Sequence, residues 1–286
     1  MTEPVVVVGD LNLDVVVRPQ GPIQHGSDTP STIEMLGGGS AANTACWLAA
    51  TGRTVRLVAA VGDDAFGRAA LGQLEQAGVE FAGQIVPGVA TGTCVVLLDE
   101  TDNRTMLPDR GANDALQPGV VEAALASGTA WLHLSGYALL GERSQPAAIA
   151  AANAARAGRI RWSVDAASAA PLRAVGSDRF LSWIDGCDLL LANDDELGAL
   201  GGEARARVAV REVVTKHGPA GASWTDGVRS ADAPPPEVDV VSTVGAGDAF
   251  DAGFLDAVLA GSTAEHALVA GGQLAARALA QAGARP

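Results

Sequence analysis

Ser242-Thr243-Val244-Gly245-Ala246-Gly247-Asp248-Ala249-Phe250 joins a β-branched run, Val238 to Val241, to an alanine-rich run from Gly247 to Leu259. The reading is strand, glycine-rich turn, helix. Backbone N–H groups at a helix start lack intrahelical partners, and the helix dipole places about half a positive charge there. Glycines let an anion approach that backbone closely. The segment is therefore a phosphate cradle built without lysine. Asp248 falls in the first helical turn, where a carboxylate can accept a proton from a hydroxyl attacking a phosphoryl group. The same residues would also make a plain cap on a tight turn. Position 250 is Phe, so this is no GxGxxG, and the only lysine, Lys216, follows Thr215, so no GxxxxGK[ST] exists.

Outward from this segment the chain alternates. Val5 to Val8, Val55 to Val61, Ala130 to Leu134, Ile160 to Val164, Leu189 to Ala192, Glu212 to Thr215 and Val238 to Val241 read as strands. Ser40 to Ala50, Asp64 to Gln76, Gln145 to Ala157, a segment from about Asp194, Gly247 to Leu259 and Thr263 to Ala282 read as helices. This pattern predicts an α/β fold, a mostly parallel sheet covered on both faces. Asp14 to Arg18, Thr32 to Leu36, Thr93 to Leu98 and Arg104 to Leu107 are strand-like with no helices between them, and Asp102-Asn103 suits a hairpin turn. They predict a small antiparallel subdomain from two insertions, suited to a lid over a site.

Composition sets the outer bounds. With 286 residues, 48% hydrophobic and 18% charged, the chain can build a large core and is not disordered. No apolar run reaches the ~18 residues of a membrane helix, and Met1-Thr2-Glu3-Pro4 lacks a signal peptide's basic start, which predicts a cytoplasmic protein. A net charge of −14 disfavours nucleic acid and anionic membranes as partners. Cys46, Cys94 and Cys187 form no CxxC pair and read as buried thiols.

Three further segments carry polar chemistry. Gly37-Gly38-Gly39-Ser40-Ala41-Ala42-Asn43 frees backbone N–H groups at a second helix start, and the Asn43 amide suits sugar hydroxyls. Asn12 and Asp14, two apart just past the first strand, would face one way and grip vicinal hydroxyls. Asn193 and Glu196 share a helical face, and their oxygens suit Mg²⁺, though taken alone Asn193-Asp194-Asp195-Glu196 reads first as the ordinary acidic start of a helix.

Together these segments resemble the ribokinase-like, or PfkB-type, sugar and nucleoside kinases. Gly37 to Asn43 looks like that family's N-terminal signature and Thr243 to Asp248 its C-terminal one. Asn193 with Glu196, Lys216 to Gly221, and Gly111-Ala112-Asn113 match further motifs, in family order across the chain. The resemblance implies a single ribokinase-like domain over 1–286, with a β lid from about 12–36 and 92–110. It implies ATP-dependent phosphorylation of a hydroxymethyl group on a small neutral sugar or polyol. Asp248 would be the base and the N–H groups of Gly245, Ala246 and Gly247 the anion hole. Asn12, Asp14, Gly39 and Asn43 would bind the acceptor, and Arg104 with Arg110 would serve a sugar phosphate. Asn193, Lys216, Gly218 and Gly272 would lie by the nucleotide, with Asn193 and Glu196 organising Mg²⁺ through water. A homodimer through the lid is implied as well. Ser242 stands where many relatives place Asp, which speaks against a monovalent cation. Ser40, and Leu134-Ser135-Gly136-Tyr137, also depart from the ribokinase pattern and speak against ribose itself. A nucleoside kinase, or a non-catalytic binding protein on the same scaffold, is the alternative.

Overall fold

The computed structural model describes residues 3–99 and 104–286. Its main sheet has nine strands, in the spatial order Ser230–Ala233, Ala222–Thr225, Val210–Lys216, Cys187–Asn193, Trp162–Asp165, Trp131–Ser135, Val5–Val8, Val55–Val58 and Glu80–Phe81. Neighbours from Val210–Lys216 to Glu80–Phe81 are parallel; the two strands at the other edge pair antiparallel.

Val5–Val8 shows why. All four valines are buried. Val5 and Val7 pack with Trp47, Phe254 and Leu268 on one face, and Val6 and Val8 with Leu139, Trp162 and Phe180 on the other. A strand covered on both faces reads as an unbroken apolar run. The helices Ser40–Ala50, Ala246–Leu259 and Ala264–Leu279 contribute to the first layer, and Pro118–Ala126 and Gln145–Gly158 to the second. Gly253 brings the last two helices of the first layer together, since a Cβ there would meet the Ala270 carbonyl at 2.6 Å.

A smaller sheet has the order Ser31–Gly38, Asn12–Pro19, Gly92–Leu98, Arg104–Asp109. The expected subdomain from two insertions is present, but it is not wholly antiparallel. Its two central strands run parallel, because both insertions leave the main body in the same direction. Asp14 lies opposite Leu36 and Cys94, so these share one face, while Val15, Met35 and Val95 share the other. The Asp102-Asn103 turn lies outside the described residues.

Two strand expectations are corrected. Val55 to Val61 divides into Val55–Val58 in the main sheet and Ala60–Gly62, which pairs with Gln84–Val86. Val238 to Val241 is not a strand. It follows Pro234-Pro235-Pro236, which have no N–H to donate to a ladder, and Val240 and Val241 are exposed. The Val241 and Ser242 N–H groups donate instead to the Leu279 carbonyl, at 2.7 and 3.1 Å. Among the described residues, no helix is long and apolar enough to cross a membrane, and the three cysteines are buried and free.

Candidate active site

In an open α/β sheet, ligands sit beyond the carboxyl ends of the strands. Here those ends present Asp10, Asp165, Asn193 and Lys216. Asp10 caps the helix Ser40–Ala50: the Ser40 N–H donates to its Oδ2 and the Ala41 N–H to its Oδ1, both at 3.3 Å. Gly39, at φ 91°, must be glycine, since a Cβ there would also meet the Asp10 carbonyl oxygen at 2.6 Å.

The second glycine-rich start arrives opposite. Gly245 adopts φ 74°, and a Cβ would strike the Ala284 carbonyl at 2.5 Å. The helix Ala246–Leu259 begins there, with Asp248 in its first turn. The two predicted starts meet at this carboxylate. Ser40 Oγ donates to Asp248 Oδ1 at 2.8 Å, and Asn43 Nδ2 donates to Oδ2 at 2.9 Å. Burial pushes the Asp248 carboxyl up to about 7, with Asp165 adding to the rise and the Asn43 and Ser40 hydrogen bonds opposing it.

Asn12 and Asp14 flank this point on the smaller sheet. Asn12 Oδ1 accepts from Asn113 Nδ2 at 2.7 Å, and Asn113 Oδ1 accepts the Leu11 N–H at 2.9 Å. Asn113 thus fixes the loop that presents Asn12. Asp14 is buried and its Oδ1 has no hydrogen-bond partner. Burial raises its carboxyl to about 6, against the pull of Arg285 and with a push from Asp10. Beyond Asp14, between the smaller sheet and Val240 to Val244, lies a cavity of about 740 Å³ lined by Val16, Leu36, Val96 and Val244. Arg104 begins the strand Arg104–Asp109, and its side chain lies outside the described residues. Arg110 Nε donates to Asp114 at 2.6 Å and Nη2 to Ser144 Oγ at 2.9 Å.

Lys216 is held between two carboxylates, its Nζ 2.8 Å from Asp165 Oδ2 and 2.9 Å from Asp251 Oδ1. Burial alone would depress the ammonium; Asp165, Asp251 and Glu196 override it and hold Lys216 above its usual range. Burial likewise works against Asp165, but Lys216 keeps that carboxyl below the ordinary range. Asp251 has no exposed surface, and burial drives its carboxyl well above that range. The two carboxylates that grip Lys216 are thus shifted in opposite directions, Asp165 down and Asp251 up. Asp251, one turn beyond Asp248 on the same helix, is a buried support for Lys216 and does not present itself to a ligand.

Asn193 and Glu196 form a closed capping box. The Glu196 N–H donates to Asn193 Oδ1, while the Asn193 N–H and Nδ2 donate to the two carboxylate oxygens, all within 2.8–2.9 Å. Burial raises the Glu196 carboxyl, and Asp165 adds to it. Each of its oxygens retains a lone pair suited to a water on a cation rather than to direct ligation. Beside the cradle, a cavity of about 900 Å³ is lined by Lys216, Gly218, Ala246, Gly247, Phe250 and Gly272, among others. Pro234 to Pro236 and Val238 close one side, and Leu268, Ala275 and Leu279 the other.

Of the residues singled out from sequence, Asn43 is hydrogen-bonded to Asp248, Asn12 and Asp14 stand against Gly39 and Gly38, and Lys216, Gly218 and Gly272 line the 900 Å³ cavity. Sequence spacing assigns no role to Asp10, Asp165, Asn113 or Arg285. Asp10 and Asp165 stand directly after or at the end of apolar strands, a position that itself marks them. Arg285 carries no such local signal.

A family model for the pfkB family of carbohydrate kinases matches residues 2–286. The ATP-dependent ribose-1-phosphate kinase of Halopiger xanaduensis is 34% identical over 270 residues, covering 92% of this chain and 88% of that one. The adenosine kinase of Sinorhizobium meliloti superposes with a TM-score of 0.90 at 23% identity, covering 100% of this chain and 96% of that one. An Arabidopsis thaliana ribokinase solved with ribose and ATP superposes with a TM-score of 0.81 at 23% identity, covering 99% and 95%. With the motifs in order and the match spanning the chain, this protein belongs to the pfkB family of carbohydrate kinases, with the ribokinase fold.

Proposed function

We propose that this kinase transfers the γ-phosphoryl group of ATP to a hydroxymethyl group of a small sugar, with Asp248 as general base. One observation carries the reading. Asp248 is fixed through both carboxylate oxygens at the start of a glycine-led helix, and its carboxyl lies at about 7, where a base works best near neutral pH. The acceptor hydroxyl gives its proton to Asp248 as its oxygen attacks phosphorus, and ADP leaves toward the 900 Å³ cavity. The N–H groups of Gly245, Ala246 and Gly247 meet the charge on the transferring oxygens. Asn12, Asp14, Gly39 and Asn43 hold the acceptor hydroxyls. Lys216 and Gly218 border the phosphates, and Gly272 the base. Glu196 and Asn193 would hold Mg²⁺ through its waters. When bound there, the ion would neutralise charge on the ATP phosphates. With Ser242 before the cradle, no monovalent cation is invoked.

A second acceptor class is a sugar substituted at its far end, with a phosphate or a nucleobase. The 740 Å³ cavity beyond Asp14 exceeds what a bare pentose needs, and relatives are named for ribose 1-phosphate and adenosine. The test is ADP release with Mg²⁺ against ribose, other pentoses and hexoses, ribose 1-phosphate and nucleosides. Acceptor-dependent release, lost in Asp248→Asn, is expected. ATP binding without release for any acceptor would favour a non-catalytic binding protein.

The whole chain is read as one domain with the smaller sheet as its lid, in the cytoplasm. The lid's outer face carries Val15, Val17, Ile33 and Met35, with Ile33 60% and Met35 56% exposed. Such a stripe suits a lid-to-lid homodimer. Light scattering should give twice the chain mass, and Met35→Asp should halve it; a monomeric parent would remove the dimer.

A further inference from the structure

We infer that Arg285 is a positioning residue for the reaction, locking the Asn43 amide so that its N–H₂ faces the catalytic carboxylate. The inference rests on the kinase reading of the same site. Arg285 follows the helix Ala264–Leu279 on a stretch tied down at two points: Trp47 Nε1 donates to the Ala284 carbonyl at 2.8 Å, and Gln281 Nε2 donates to the Arg285 carbonyl at 2.5 Å. The guanidinium then reaches under the first glycine-rich segment. Its Nη2 donates to the Gly38 carbonyl at 2.7 Å, its Nη1 to Gln73 Oε1 at 3.4 Å, and its Nε to Asn43 Oδ1 at 3.1 Å.

The last bond carries the argument. An amide can turn by half a revolution and fill the same space, so its neighbours decide which end points where. Asn43 is 5% exposed and has Arg285 on one side and Asp248 on the other. A guanidinium has donors only, so it accepts nothing but the oxygen end. Nδ2 is thereby left to donate to Asp248 Oδ2. In the turned amide, Oδ1 would face the carboxylate, and Nδ2 would face an N–H. The first clash is relieved only when Asp248 carries a proton, the state in which it cannot act as base. Arg285 also places positive charge among Asp10, Asp14 and Asp248, all of which face it. Lys216, Asp165 and Tyr137 are the other ionisable groups facing Asp248, and substitution of Arg285 leaves them in place.

The full chain, ¹⁵N-labelled and free of substrate, provides the test. The Asn43 side-chain amide pair, assigned by its loss in Asn43→Ala, should follow the ionisation of Asp248 and stop doing so in Asp248→Asn. In Arg285→Gln, whose amide can donate or accept, the midpoint should rise by at least about half a pH unit. Turnover should fall about tenfold or more, with the KM for ATP within about twofold. Arg285→Lys keeps a donor-only cation and should restore both. An unmoved midpoint in Arg285→Gln, or a lysine variant as impaired as the glutamine one, would overturn the inference. If Arg285→Gln does not fold, the parent answers alone: the Arg285 Nε–H should exchange slowly with water, and rapid exchange would overturn it. A moved midpoint in Arg285→Gln, together with a parent that phosphorylates no acceptor, would instead remove the kinase reading and leave the lock standing.

Discussion

Asp248→Asn should sharply lower turnover, and it should make the protein harder to melt, the latter only above a definite pH. The Asp248 carboxyl is raised by burial from 3.8 to about 7. A raised acid stabilises the folded state below the unfolded pKa, and that contribution is lost as pH rises toward the folded pKa. At about 1.4 kcal/mol per unit, the charged carboxylate costs at most ~4 kcal/mol above neutrality, the ceiling being reduced by the edge it keeps toward solvent. Asparagine is neutral and nearly the same shape. Its oxygen can accept from Asn43 Nδ2, and its amide can donate to Ser40 Oγ, so both hydrogen bonds have replacements. A chain of 286 residues unfolds with roughly 0.6 kcal/mol per degree of entropy, so the variant should melt up to about 7 °C higher at about pH 8. The gap should shrink toward zero at about pH 4. Loss of the general base should cost about 10²–10⁴ in kcat with ATP affinity retained. Calorimetry across pH and acceptor-dependent ADP release read the two halves. An equal melting gap at both pH values, or turnover within about tenfold of the parent, would refute the reasoning.

Lys216→Met leaves Asp165 and Asp251 buried without their cation, and urea unfolding at about pH 8 should show a loss of about 3–5 kcal/mol, partly recovered by adding Asp165→Asn. Gly272→Leu projects a side chain toward Pro236 across the 900 Å³ cavity; the KM for ATP should rise at least about tenfold, with melting within about 2 °C of the parent. Asn113→Ala strands the Leu11 N–H and frees Asn12. It should cost about 1–3 kcal/mol of stability and raise the KM for the acceptor while sparing that for ATP, both measurable by titration of the two substrates.

The apolar runs announced the sheet because each central strand is covered on both faces, as Val5–Val8 shows. The glycine-rich segments announced the site because a left-handed turn such as Gly245 and a close approach such as Gly39 admit no side chain. Local signals of that kind mislead where the partner is absent: Val238 to Val241 has the composition of a strand but no strand beside it, and Val238 to Val240 line the 900 Å³ cavity instead. What sequence spacing does not show is how distant residues answer one another. Asp248 was legible alone, yet Ser40 and Asn43, which fix it, stand 208 and 205 positions away. Asn193 and Glu196, at i, i+3, suit a cation's waters and an acidic helix start alike, and in the structure they close on each other as a capping box.

Those separations have a consequence for how the chain becomes an enzyme. Val5–Val8 is an interior strand of its sheet, between Val55–Val58 and Trp131–Ser135, so a growing chain holds one unpaired edge of it until nearly half of the sequence has been made. Asp248 comes later still, more than 200 residues after Ser40 and Asn43, which hold its carboxylate. The cluster around Asp248 is thus assembled only after the helix Ala246–Leu259 has been made. During refolding, activity should return with the slowest phase, after tryptophan fluorescence has reported closure of the sheet around Trp131 and Trp162.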